Sequence, residues 1–304
     1  MNSLAQSSPL ISVVMSVYNG ADTVDRAIES ILSQTEPNFE FIIINDGSQD
    51  GTLAVLQDFA QRDQRIQIIS NNTNIGLPLS LNKGIQAAQG TYIARQDADD
   101  ISHEKRFEIQ LATFLKENID LLSTTAIHFD TVFQGTFPEF SRKPDLTFLN
   151  KADLLRRNPL VHGSYMMLRE AVVKVGCYDS DYHLAQDYDL VLRLAKQDAR
   201  IAQLQLPLYA YHLQLFNTKI YQRYLLGQQI RGHTIPVYNR ITPIYKLLSY
   251  LYQQSHYYRK KSLVTEHRLI KLMYKALGYA LFPSLIVQQF SKRQKFLRKQ
   301  ISNN

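Results

Sequence analysis

The chain has 304 residues, 45% of them hydrophobic, enough to bury a substantial core in one large domain or two smaller ones. Its single cysteine, Cys177, excludes an internal disulfide, so nothing points to an oxidising compartment. The net charge of +7 is unevenly spread: residues 201–304 carry 16 of the 34 Lys and Arg but one acid, Glu266, so this part stands at +15 and the first 200 residues at −8. Twelve of the 18 tyrosines also follow residue 200, and two parts of such different chemistry do different jobs. The first ten residues are polar, with no basic stretch leading into an apolar one, so no secretory signal is expected.

Ile11 to Tyr18 is nearly continuous in apolar residues and reads as a buried strand, ended by Asn19-Gly20. Ala21, Val24, Ala27, Ile28, Ile31 and Leu32 then recur at helical spacing. Phe39 to Ile44 gives a second strand, stopped by Asn45-Asp46-Gly47-Ser48, and Leu53 to Phe59 a second helix. Ile66 to Ile69 is a third strand, followed by a polar loop from Asn71 to Gly76 and a helix from Leu77 to Ala88. The fourth strand, from Tyr92, runs directly into Asp97-Ala98-Asp99-Asp100. Four strand–helix alternations predict an α/β domain with a parallel sheet and right-handed crossovers. Ligands in such sheets bind beyond the carboxyl ends of the strands. Tyr18-Asn19, Asp46-Gly47-Ser48 and Asp97-Ala98-Asp99 all fall there, which marks one sheet edge as a site.

Three carboxylates within four residues repel one another, and each loses hydration at a strand end. A divalent cation such as Mg²⁺ or Mn²⁺ would compensate, with further oxygens from water and a substrate's phosphates. The bland reading is a solvated acidic turn capping a helix that starts near Ser102. Further along, Phe107, Gln110, Leu111, Phe114 and Leu115 suggest a helix, and Asp120 to Phe129 another strand. Residues 130–150 read as irregular. Val161 to Leu168 predicts a strand, followed by a short helix to Val175 and a turn at Gly176-Cys177. Leu190, Val191 and Leu194 can bury one helical face, leaving Asp187 and Asp189 near that helix's start, where plain N-terminal capping is an even alternative.

These segments together resemble the family 2 glycosyltransferases, which have the GT-A fold. The resemblance is carried by Ile11 to Asn19, Ile44 to Thr52, Asn74-Ile75-Gly76, Leu81 to Ile85, the Asp97-Ala98-Asp99-Asp100 cluster and Gln186-Asp187-Tyr188-Asp189-Leu190. It covers roughly residues 9 to 212, which defines a GT-A domain over 1–212 and a second region over 213–304. It implies a mixed Rossmann-like sheet flanked by helices, binding a nucleotide-diphospho-sugar with Mn²⁺ or Mg²⁺. By the same resemblance Val17, Tyr18 and Asn19 line the nucleobase and ribose pocket, Asp46 accepts from the uracil N3–H, Asp97 sits near the ribose, Asp99 binds the metal, and Asp187 is the catalytic base of an inverting transfer. Lys83 and Arg95 could balance the acidic site or be exposed basic side chains. His162 and His212 read as packed or surface histidines rather than metal ligands, although a lid in the region of His212 sometimes contacts phosphate in the family.

Two departures from the family pattern stand out. The residue before the base, usually Glu, is Gln186, and the Gln-x-x-Arg-Trp motif of processive members is missing, since Gln228-Gln229-Ile230-Arg231 is followed by Gly232 and the chain has no Trp. Addition of one or a few sugars is expected rather than polymer extrusion. Two rivals are a nucleotidyltransferase, which lacks a basic phosphate-binding fingerprint after the first strand, and a degenerate nucleotide-sugar-binding scaffold, favoured by Gln186 alone.

Residues 213–304 are mostly helical in pattern. Ala276 to Val287 is apolar apart from Ser284, includes Pro283, and is too short to span a bilayer. Lys271, Lys275, Lys292, Arg293, Lys295, Arg298 and Lys299 flank it, which suits a segment lying on an anionic membrane. The expected partners are therefore a nucleotide-sugar donor, a glycan or lipid-linked acceptor and the cytoplasmic membrane face. No nucleic-acid module is recognised, so nucleic acid is not an expected partner.

Overall fold

A computed structural model describes residues 9–129, 133, 135–139, 145–182 and 185–212. The apolar run and basic flanks of the C-terminal region lie outside the described residues. The chain separates into two compact units, the first holding all of the described residues.

The first half follows the sequence closely. Strand β1 (Ile11–Val17), helix α1 (Val24–Leu32), β2 (Phe39–Asn45), α2 (Thr52–Arg62), β3 (Ile66–Ser70), α3 (Leu77–Ala87) and β4 (Tyr92–Asp97) alternate in order. β3, β2, β1 and β4 pair in parallel, with Ile11 opposite both Phe39 and Tyr92. Beyond them come β5 (Ile101–Ser102), α4 (Arg106–Glu117), β6 (Leu121–Phe129), β7 (Leu146–Leu149) and α5 (Lys151–Arg156). A 3-10 turn (His162–Ser164), β8 (Met166–Leu168), α6 (Arg169–Lys174), α7 (Gln186–Lys196) and β9 (Ile201–His212) complete the described chain. β8 runs antiparallel between β4 and β6, and β6 pairs in parallel with β9. The sheet is therefore mixed, in the order β3-β2-β1-β4-β8-β6-β9-β5, with β7 also on β9.

Successive side chains of a strand point to opposite faces, so each strand feeds two cores. Val13, Met15, Phe41 and Ile43 pack with Ile28 of α1, Leu56 of α2 and Phe107 of α4. Val14, Ile42 and Ile44 face the other way, onto Leu81 and Ile85 of α3 and Leu190 and Val191 of α7. Helices on both faces explain why the parallel strands are apolar almost throughout.

Three expectations are corrected. Ile101–Ser102 is a strand paired with Tyr209 and Ala210, and the helix begins only at Arg106. The segment read as one strand from Val161 opens as a 3-10 turn, and only Met166–Leu168 is extended. The stretch read as irregular contains β7, which pairs antiparallel with the start of β9.

Candidate active site

The carboxyl ends of β1, β2 and β4 bring the first three clusters to one edge. The Val17 side chain is buried in the core, and its carbonyl accepts from the Asp46 N–H at 2.8 Å. Tyr18, by contrast, is half exposed at the end of β1. Asn19 takes a left-handed conformation, φ 51°, and its side-chain oxygen accepts from the Gln49 N–H at 2.8 Å. This ties the β1 loop to the β2 loop.

Asp46 is buried, 2% exposed, and lies in a shell of neutral donors. Its Oδ1 accepts from Asn71 Nδ2 and the Ile75 N–H, each at 2.9 Å, and its Oδ2 from the Gly76 N–H at 2.9 Å. Each carboxylate oxygen has two lone-pair sites, so Oδ2 keeps acceptor capacity beyond these three bonds. Gly47 makes the turn possible: its φ is +71°, and a Cβ there would come within 2.5 Å of the Thr73 backbone. Lys83 reaches this shell, donating from Nζ to Asn71 Oδ1 at 2.6 Å. Lys83 is exposed, as one of its two readings had it, and this bond ties its ammonium to the Asn71 that donates to Asp46.

The acidic cluster carries its own counter-charge. Arg95, weighed as an exposed basic side chain, is 1% exposed and donates from Nη2 to Asp97 Oδ1 at 2.6 Å. Burial alone would lower its pKa, but Asp97, Tyr178, Tyr209 and Asp100 outweigh burial and hold the guanidinium above its ordinary value. A second buried arginine, Arg106, donates to the Arg95 carbonyl at 3.0 Å and the Gly163 carbonyl at 3.1 Å, and burial lowers it to about 10. The Asp97 N–H donates to the Tyr209 hydroxyl at 3.1 Å. Gly163 lies against this pair, where a Cβ would enter the Tyr209 phenol and approach Asp97 Oδ2 at 2.8 Å.

Asp99 and Asp100 differ in duty. Asp100 is buried, and its Oδ1 accepts from the His212 N–H at 2.7 Å, which anchors the end of β9. Asp99 points to the open edge, with Oδ2 3.3 Å from His212 Nδ1. Burial, then the charge of Asp97, raises the Asp99 pKa; burial, then Asp97 and Asp99, raises that of Asp100 much further. His212, read as packed or at the surface, is packed beside the acidic cluster, its ring stacked on Phe129 at 5.0 Å between centroids. The family resemblance points to this region only through the lid that sometimes contacts phosphate; no local pattern joins His212 to Asp100, 112 residues away.

No group of three or more His, Cys, Asp or Glu side chains converges among the described residues. Asp99 and His212 make a two-membered donor set, and their 3.3 Å spacing suits adjacent corners of an octahedron, about 3 Å apart for ligands near 2.1 Å. An ion of the Mg²⁺ or Mn²⁺ type fits such a pair, because it takes its remaining ligands from phosphate and water.

Asp187 opens α7, and its Oδ2 accepts from Asn158 Nδ2 at 3.3 Å. Two buried phenols sense its charge: Tyr165 and Tyr178 are both pushed up, by burial first and then by Asp187 among others. Tyr178 is also influenced by Arg95 and Asp97. Asp189 instead pairs with Arg193 at 2.6 Å one turn on. Gln186 is fully buried, and neither polar atom of its amide has a hydrogen-bond partner among the described residues.

A mixed sheet with helices on both faces, and with Asp46 and the acidic cluster at the carboxyl ends of its parallel strands, is the GT-A fold, and solved structures share it. TarS of S. aureus in complex with UDP superposes with a TM-score of 0.57 at 16% identity, over 72% of this chain and 64% of that one. The mannosyltransferase PcManGT of Pyrobaculum calidifontis, in complex with GDP-Man and Mn²⁺, gives 0.59 at 16% identity over 96% and 86%. The family model for glycosyl transferase family 2 matches residues 12–176, and the chain belongs to that family. EpsE of Bacillus subtilis, which bears the name of a glycosyltransferase, is 31% identical over 283 residues, 87% of this chain and 99% of EpsE.

Proposed function

We propose that the chain is an inverting, metal-dependent glycosyltransferase that moves one sugar from a UDP-sugar to a hydroxyl of a glycan or lipid-linked acceptor in cell-surface polysaccharide synthesis. The observation that carries this reading is the edge formed by β1, β2, β4 and β9, where Asp46, Asp97, Asp99 and His212 stand together. Asp46 Oδ2 accepts the uracil N3–H, Tyr18 lies on the base, and Asp97 meets the ribose. Asp99 and His212 hold Mn²⁺ or Mg²⁺, which when bound neutralises charge on the leaving diphosphate. Lys83 acts indirectly, by fixing Asn71 against Asp46. The similar structures of TarS in complex with UDP and PcManGT in complex with GDP-Man and Mn²⁺ support a nucleotide-sugar donor and a divalent ion.

Asp187 takes the proton of the attacking acceptor hydroxyl, a step worth about 10²–10⁴-fold in rate when a carboxylate is well placed. Asn158 orients it. Direct displacement then inverts the anomeric carbon. The basic region over 213–304 suits binding to the anionic cytoplasmic face.

The test is Asp187→Asn, assayed for UDP binding and for UDP release from UDP-sugars with a membrane-derived acceptor fraction. Binding within twofold of wild type with at least a hundredfold loss of release is expected. Near-normal turnover would exclude Asp187 as the base, and wild type that binds donor without any turnover would favour the scaffold.

A further inference from the structure

Asp99 must stand at a fixed place and angle to hold an ion, yet it sits in a tight turn between β4 and β5. The turn's own bond, from the Asp100 N–H to the Asp97 carbonyl, is long at 3.4 Å. The side chain of Gln96, the residue just before the cluster, closes the turn more firmly. Gln96 Nε2 donates to the Asp97 carbonyl at 3.0 Å and to the Asp100 carbonyl at 2.9 Å. An amide nitrogen has two hydrogens, and here both are spent on the two ends of one turn. Gln96 Oε1 accepts from the Ser102 hydroxyl at 2.7 Å. Carbonyls only accept, so the orientation of the amide is settled by its partners.

The Gln96 side chain is fully buried, on the face of β4 that it shares with Ala94 and that α1 and α4 cover. An apolar side chain of the same size would fill that space and leave both carbonyls without this donor. The Ser102 N–H donates to Ser30 Oγ at 3.1 Å, which ties the support of the amide to α1. Asp97 and Asp100 are thus each gripped twice, their carbonyls by Gln96 and their carboxylates by Arg95 and by the His212 N–H. Between them the Asp99 side chain is 36% exposed and stands beside His212 at the open edge.

We propose that Gln96 is a positioning residue of the divalent-ion site: by closing the turn on both carbonyls it fixes Asp99, and the affinity for the ion depends on it. This rests on the reading of Asp99 as a metal ligand given above. A second buried glutamine supplies the comparison. Gln34 Nε2 donates to the Ser30 carbonyl at 2.9 Å and to the His103 carbonyl at 2.8 Å, so it bridges two carbonyls in the same way, but not those of the turn. Methionine in place of either glutamine removes a matching pair of bonds, and only one of the two pairs holds Asp99.

Titration calorimetry of UDP at a series of Mn²⁺ concentrations would give the Mn²⁺ concentration for half-maximal binding on full-length wild type, Gln96→Met, Ser102→Ala and Gln34→Met, with a thermal melt of each. Gln96→Met should raise that concentration by about tenfold, the lower end of what losing the support of a metal ligand costs. Ser102→Ala, which only frees the amide, should raise it by about threefold. Gln34→Met should lower the melting temperature as Gln96→Met does and leave the Mn²⁺ requirement within twofold of wild type. A Gln96→Met requirement within twofold of wild type, or raised no more than in Gln34→Met, would make the amide a purely structural group and overturn the inference. If Gln96→Met does not fold, Ser102→Ala is judged by the same two comparisons. Wild type that binds UDP without Mn²⁺, or not at all, overturns the metal site itself, and this inference with it.

Discussion

At the residue scale the acidic cluster is three carboxylates with three different jobs. Asp97 is neutralised by Arg95, Asp100 is spent on the His212 backbone, and Asp99 faces the open edge. The like charges have a consequence for stability. Asp99 and Asp100 both bind their protons more tightly in the folded chain than in the unfolded one, where carboxyls titrate near about 3.9. The folded state therefore loses stability as pH rises from that range through the raised values. Asp100→Asn keeps an acceptor for the His212 N–H and removes the charge. In metal-free protein its melting temperature, relative to wild type, should be higher at pH 7.5 than at pH 4.5; a difference independent of pH would contradict the charge assignment. Gly163→Ala probes the same crowding from the other side. The added methyl must displace Tyr209 or Asp97, an overpacking cost of about 1–3 kcal/mol, read as a lowered denaturant midpoint at unchanged slope. The three aspartates were legible because they follow an apolar strand. Their partition was not, because His212 and Gly163 reach them from positions that no local pattern connects, and the burial of Arg95 beside Asp97 shows only in the fold.

At the scale of elements the closure of the site depends on β9. Its ladder with β6 fixes where His212 ends up, and its Tyr209 hydroxyl accepts the Asp97 N–H inside the core. Tyr209→Phe leaves that N–H buried without its partner, at a cost of about 1–3 kcal/mol. Equilibrium unfolding should show this loss, and Mn²⁺-dependent UDP binding should weaken with it; an unchanged unfolding curve would mean that the bond contributes nothing. The strand–helix alternation through β4 could be read from periodicity, since each strand is apolar on both faces and each loop ends in Gly, Asn or Asp. β9 could not. Pro207 interrupts it, and a proline argues against an interior strand because it has no N–H to donate. In the fold Pro207 faces Thr125, where the β6 register shifts, so the irregularity absorbs the missing donor. The 3-10 turn at His162–Ser164 escaped for a related reason: the apolar run from Val161 hides it, and it shows only once Ser164 is seen binding the Val161 carbonyl at 2.8 Å.

Across the whole molecule, charge and architecture divide together. The first 200 residues hold an acidic surplus and every strand of the sheet but β9, whereas residues 201–304 hold nearly half of the basic side chains. Under the proposed function an anionic membrane surface would draw the basic region in and present lipid-linked acceptors to the same protein. Deleting residues 266–304 should move the protein out of the membrane fraction and lower its binding to vesicles containing anionic lipid; unchanged partition would contradict membrane attachment. The central claim is narrower: Asp99 and a divalent ion together make the nucleotide site on the sheet edge. The measurement that tests it most directly is titration calorimetry of UDP, with and without Mn²⁺, on wild type and Asp99→Asn. The account predicts UDP binding that requires Mn²⁺ in wild type and is lost in Asp99→Asn at the same Mn²⁺ concentration. UDP binding that is equally strong without Mn²⁺, or unchanged in Asp99→Asn, would contradict it.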